Sequence, residues 1–196
     1  MTNNNSSPST IITEVLGSIS DLELKKLVKL VNDVYDVAED GMWKQKGVRT
    51  NPQELSDLTR QGRLIVARVC QPRNGGSSNE TSSGNEIVGC VKLDRLDQAG
   101  EFGMLVVDPD MRSMGIGGKL VRAAEEWSKG QGFREMQLEL LTPRTWKQPS
   151  KEFNKLWYSR LGYVPQRTDP FEKDYPELVP FLATECDFTI WRKPLA

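Results

Sequence analysis

Three observations predict an α/β domain on a mixed sheet. Apolar, β-branched runs of strand length recur along the 196 residues. Between them lie segments whose apolar residues keep helical spacing. The two kinds follow one another in the order βααβββαβαββ, so helical crossovers must cover both faces of the sheet. The length suits one domain, read as 9–196 after a polar, disordered tail at 1–8.

The run Thr10-Ile11-Ile12-Thr13 is the first strand. Ser20-Asp21-Leu22-Glu23 is a capping box, and Leu24, Leu27, Val28, Val31, Val34 and Tyr35 continue it as an amphipathic helix. Asn51-Pro52-Gln53-Glu54 opens a second helix with cap, proline and carboxylate in order, and Gly62 ends it. Strands follow at 64–70, 86–93 and 101–107. Residues 72–85, rich in Gly, Ser, Asn and Thr, are expected to be a flexible hairpin loop. A helix at 115–129 carries Ile116, Leu120, Ala124 and Trp127 on one stripe, with Lys119, Arg122, Glu126 and Lys129 outside it. Strand 136–141, helix 150–161, a short strand at 163–166, an irregular insertion at 169–184 and strand 187–192 complete the chain.

Composition removes several chemistries. Histidine is absent, which excludes Ser-His-Asp and Cys-His catalysis and the commonest nitrogen ligand for zinc; no metal is expected. The three cysteines, Cys70, Cys90 and Cys186, are isolated and lie in strand-like runs, as buried thiols of a reducing compartment do. A net charge of −1 offers no case for nucleic acid or an anionic membrane. No apolar run reaches a membrane span and the start has no signal-peptide pattern, so the expected location is cytoplasmic. Asn79-Glu80-Thr81 has glycosylation spacing, which without a secretory signal is read as chance.

The most informative stretch runs from Val107 to Leu120. A strand enters a turn at Pro109, then come Arg112, Ser113, Met114, Gly115, Ile116, Gly117, Gly118 and Lys119 at a helix start. Unpartnered amides and the positive end of a helix dipole suit a diphosphate there. A nucleotide P-loop fails because Ser113 stands where its first glycine belongs and Leu120 follows Lys119. A dinucleotide fingerprint fails at its last glycine, where Leu120 stands.

The remaining pattern, Arg-x-x-Gly-x-Gly after Val-x-Pro, resembles the pyrophosphate loop of the GNAT superfamily of acetyl-coenzyme A-dependent N-acetyltransferases. The likeness runs from Glu101 to Leu141 and on to Trp157-Tyr158-Ser159-Arg160-Leu161-Gly162-Tyr163, similar to the family's Tyr-x-x-x-Gly-(Phe/Tyr) signature. It implies the GNAT fold, a mixed and mostly antiparallel sheet of six to seven strands with about four helices. It also implies acetyl-CoA as acyl donor, and a strand 101–107 that bulges away from its neighbour so that Leu105, Val106 and Val107 meet pantetheine through their main chain. Glu101 stands where several such enzymes keep a general base, and is otherwise a solvated glutamate at a strand start. Tyr158 matches the tyrosine that protonates the coenzyme thiolate, and is otherwise a core tyrosine. The asparagine that many members carry seven residues earlier is Lys151 here.

The segment between the first two helices lines the acceptor pocket in this fold, which brings in Tyr35, Trp43 and Arg49; a tryptophan packed over a small core is the alternative for Trp43. Gln137 and Glu139 place polar side chains on one face of an inner strand that should otherwise read apolar, and Glu139 is expected to meet an acceptor ammonium. Arg49 is the candidate for holding an acceptor carboxylate. The expected activity is transfer of acetyl from acetyl-CoA to the primary amine of a small molecule by direct attack in a ternary complex. An acyl-CoA-binding module without turnover and a protein N-acetyltransferase are the alternatives, and a homodimer is left open.

Overall fold

The computed structural model describes residues 10–46, 49–70 and 85–196. The tail 1–8, the Asn79-Glu80-Thr81 triplet and nearly all of 72–85 lie outside them. The elements are β1 (Thr10–Val15), α1 (Asp21–Ala38), α2 (Pro52–Arg60), β2 (Leu64–Cys70), β3 (Asn85–Arg95), β4 (Gly100–Val107), α3 (Ile116–Gly130), β5 (Glu135–Pro143), α4 (Pro149–Arg160), β6 (Val164–Pro170), α5 (Phe171–Asp174) and β7 (Cys186–Pro194), with 3-10 turns at Pro109–Met111 and Pro176–Phe181. They form one seven-stranded sheet in the order β1-β2-β3-β4-β5-β7-β6. Every neighbouring pair is antiparallel except β4 and β5.

Local chemistry sets the helix ends. Ser20 and Glu23 exchange the two bonds of a capping box at the start of α1. The Asn51 side chain caps α2 on the Glu54 amide, with Pro52 in the first turn, where its missing N–H costs nothing. The last carbonyls of α1 are met from another element: Ser150 Oγ donates to Ala38 O at 2.7 Å and Gln148 Nε2 to Val37 O at 3.2 Å. That stitches the start of α4 to the end of α1.

Two apolar cores cover the sheet. On one face, Ile116, Leu120 and Ala124 of α3 pack with Phe102, Met136, Leu138, Leu140 and Tyr158. On the other, Leu27 and Val31 of α1 and Leu55 and Leu58 of α2 pack with Val66, Met104 and Val106. A third cluster joins Met42, Leu141, Phe171 and Leu182 near β7.

Two expectations change in the structure. The strand expected at 163–166 runs on to Pro170, pairing with β7 down to Pro170↔Asp187. It is an edge strand with almost every residue exposed, so it shows no alternation, and its prolines are tolerated on an edge. The insertion expected to be irregular contains α5 and the 3-10 turn at Pro176–Phe181.

Candidate active site

Strand β4 changes faces halfway along. Cys90 pairs with Val106 and Lys92 with Gly103, so Met104 and Leu105 together oppose Val91. This is a β-bulge, and Met104 takes φ 48, a left-handed conformation that an L residue adopts only at a cost. Before the bulge Phe102 belongs to the α3-side core; after it Met104 and Val106 belong to the α1–α2 core, while Leu105 and Val107 turn toward α3. The parallel ladder to β5 holds only Gly100↔Met136 and Glu101↔Gln137. Past Glu101 the two strands diverge, and the β5-facing peptide groups of β4 are left for another partner.

The loop after β4 ends at the mouth of this opening. Ser113 and Gly115 both have positive φ, 66 and 74, and Gly115 caps α3 with no side-chain bond. Arg112 donates its amide to Pro109 O at 3.4 Å, and the Lys119 amide bonds Gly115 O at 3.1 Å. Among the described residues no backbone carbonyl accepts from the amides of Ser113 through Gly118. The cradle of free donors therefore stops one residue short of Lys119, whose ammonium instead donates to Ile11 O at 3.1 Å. Lys119 was expected on the solvent side of the helix and is in fact half-buried, tying α3 to β1. A Cβ on Gly117 would sit 3.4 Å from the Trp157 ring, so α4 closes one side of the cradle.

Tyr158 lies on α4 at 7% exposure, with ring centroids 6.0 Å from Phe102, 5.1 Å from Trp157 and 6.2 Å from Tyr163. Burial, and then the charge of the Tyr35 phenol, push its pKa up, so the group stays protonated. Lys151, two turns earlier on the same helix, is buried. Its ammonium pairs with Glu39 Oε1 at 2.6 Å, and Glu39 Oε2 accepts from Trp43 Nε1 at 2.6 Å.

The opposite face carries the polar residues. Glu101 projects there because its neighbour Phe102 enters the α3-side core. Gln137 and Glu139 share that face of β5, since Met136, Leu138 and Leu140 fill the other. Gln137 Nε2 donates to Glu101 Oε1 at 3.0 Å, and the Tyr175 hydroxyl donates to Glu139 Oε2 at 2.9 Å. Burial raises the Glu101 carboxyl above the usual range, partly offset by the Gln137 amide and by Lys92. Burial, followed by the charge of Glu101, pushes Glu139 up to about 7. Lys92, on the same face of β3, is lowered by burial. The cavity of about 490 Å³ between α2 and β3 has Lys92, Arg63 and Glu54 in its wall.

The expected acceptor residues divide into two places. The Arg49 guanidinium lies 4.8 Å over the Tyr35 ring, beside α1. Trp43 packs edge-on to Phe171 at 6.0 Å and bridges to Leu182, in the third cluster. Sequence reasoning passed over Tyr175, Lys92 and the Glu39–Lys151 pair; a tyrosine between Asp174 and Pro176 carries no periodic signal. Cys90 and Cys186 are buried, and burial pushes their thiols up to about 12 and about 11, which keeps them protonated.

A bulged strand parting from a parallel neighbour, followed by a glycine-rich helix start, agrees with the fold that the resemblance implied. Residues 78–165 match the family model of the acetyltransferase (GNAT) domain. No curated protein matches it significantly. Among solved structures it is similar to PaiA N-acetyltransferase from Thermoplasma acidophilum in complex with coenzyme A (15% identity, 94% of this chain and 99% of that chain, TM-score 0.62). It is similar also to ribosomal-protein-alanine N-acetyltransferase from Brucella melitensis (15% identity, 94% and 99%, TM-score 0.59). The chain spans 36% of N-acetylglutamate synthase from Neisseria gonorrhoeae (14% identity, 97% of this chain, TM-score 0.58) and 61% of a Bacillus anthracis protein bound to acetyl coenzyme A. Among the described residues no group of three or more acidic or cysteine side chains is placed to hold a metal, and no helix is long and apolar enough to cross a membrane.

Proposed function

We propose that the protein transfers the acetyl group of acetyl-CoA to the primary amine of a small molecule by direct attack in a ternary complex. The observation that carries this reading is the parting of β4 from β5 at Glu101, with free amides from Ser113 to Gly118 at the open end. Those amides and Arg112 suit a diphosphate, and the unpaired edge at Leu105, Val106 and Val107 suits the amides of pantetheine.

The chemistry needs an acceptor for the amine proton and a donor for the leaving sulfur. Glu101 fills the first role at the point of divergence: the amine nitrogen attacks the thioester carbonyl, its proton passes to the carboxylate, and the carbon–sulfur bond breaks. Tyr158 fills the second, giving a hydrogen bond and then a proton to the thiolate. Glu139 offers a carboxylate to an ammonium on the acceptor, and Arg49 a guanidinium to an acceptor carboxylate. The test is thiol release from acetyl-CoA across neutral, cationic and zwitterionic amines and peptide N-termini, with Glu101→Gln and Tyr158→Phe beside the parent. A panel in which only peptides react moves the acceptor to a protein amine. No turnover with any amine, together with tight coenzyme binding, makes the chain a binding module.

A further inference from the structure

Gln137 is a polar side chain at 4% exposure on an inner strand, where an unsatisfied amide would be destabilising. Both of its ends are used. Arg192 on β7, its cross-strand partner, donates from Nε to Gln137 Oε1 at 3.0 Å, and Gln137 Nε2 donates to Glu101 Oε1 at 3.0 Å. A guanidinium only donates and a carboxylate only accepts, so the arginine dictates which way the amide points. Reversing the amide would set its NH2 group against the guanidinium and its oxygen against the carboxylate.

Resting on the reading of Glu101 as the base, we propose that Gln137 is its positioning residue, aiming one carboxylate oxygen into the cleft while Arg192 locks the amide that does so. The geometry explains why an amide stands between the two charges. An arginine touching Glu101 directly would hold it as firmly but would lower a carboxylate's proton affinity by roughly 1–3 pKa units, weakening it as a base. A neutral donor fixes direction at a smaller loss of basicity. Glu101 Oε1 is occupied by the amide, which leaves Oε2 for the amine proton. The Glu101↔Gln137 pair is also the last rung of the parallel ladder, so both backbones are fixed there even though β4 diverges one residue later.

The charged and titratable groups around Glu101 are Lys92 and Asp94 on β3, Arg63 beside them, Glu139 on β5, Arg192 on β7 and Tyr175. Lys92 and Gln137 favour the ionised carboxylate and burial opposes it. Removing the amide therefore moves the titration of Glu101 upward.

The experiment uses Gln137→Met, close to the parent in volume but with no donor, and Arg192→Met, which frees the amide without touching Glu101. Carbon-13 NMR of glutamate-labelled protein, with the Glu101 signal assigned by its loss in Glu101→Gln, reads the titration without need of an acceptor. The expected result is a higher Glu101 midpoint in Gln137→Met and a smaller rise in Arg192→Met, with unchanged affinity for coenzyme A. A midpoint that stays put in both variants overturns the proposal. With n-butylamine and acetyl-CoA, Gln137→Met should slow turnover roughly 10-fold and add nothing further in the Glu101→Gln background, because it acts through that residue. Additive losses overturn the proposal. An acidic limb that persists in Glu101→Gln alone sinks instead the assignment of Glu101 as base, whatever Gln137 does to its titration.

Discussion

Replacing Lys151 with methionine tests whether α4 is held to α1 by charge. The ammonium lies 2.6 Å from Glu39 Oε1, and the two side chains are only 7% and 11% exposed. Removing one member of so buried a pair leaves the other charge with incomplete solvation, here a carboxylate that keeps the bond from the Trp43 indole. Such losses are about 3–5 kcal/mol. For a chain of this length each kcal/mol moves the midpoint by about 2–4 °C, so a fall of about 6–20 °C is expected in thermal unfolding. Pairing the change with Glu39→Gln, which removes the stranded charge but keeps an acceptor for Trp43, should recover most of it. A fall of less than about 2 °C for Lys151→Met, or no recovery in the double variant, would refute the reasoning and leave the pair a solvated contact.

Gly117→Pro removes one cradle amide at the second position of α3, where a proline is sterically tolerated; calorimetry should show most of the coenzyme A affinity gone and the melting temperature little changed. Glu139→Gln should stabilise the protein more at about pH 8 than at about pH 5. Its folded pKa of about 7 stands above the ordinary glutamate value of 4.5, so the protonated carboxyl favours the fold below that lower value and loses this advantage as pH rises through the folded pKa; equal melting shifts at both pH values would contradict it. Glu139→Gln and Arg49→Ala should each reorder the acceptor panel, the first against cationic amines and the second against zwitterions, and an unchanged ranking in both removes them from the acceptor pocket.

The helices were legible because their ends are written in adjacent residues: Ser20 with Glu23, Asn51 with Pro52, Gly115 ahead of Ile116. The free amides ahead of α3 were legible for the same reason, since they follow from local spacing. Contacts set by register between distant strands were not. That Glu101 meets Gln137, and Gln137 meets Arg192, depends on where a parallel and an antiparallel pairing happen to align. Neither residue's neighbours in the chain announce it. The extent of edge strand β6 escaped because exposure on both faces erases alternation, and nothing local marks Lys151 as buried because its partner lies 112 positions away.

The exchange of faces in β4 has a further bearing on how this chain can change. Everything from Met104 to Val107 is apolar, so a strand shortened by one residue would still present hydrophobic groups to both cores. With Met104 removed, Phe102, Leu105 and Val107 would fall on one side and Val106 on the other, at the loss of one buried side chain. What would vanish is the divergence from β5, because a regular β4 would continue its ladder. The cleft is thus recorded in the number of residues rather than in their character.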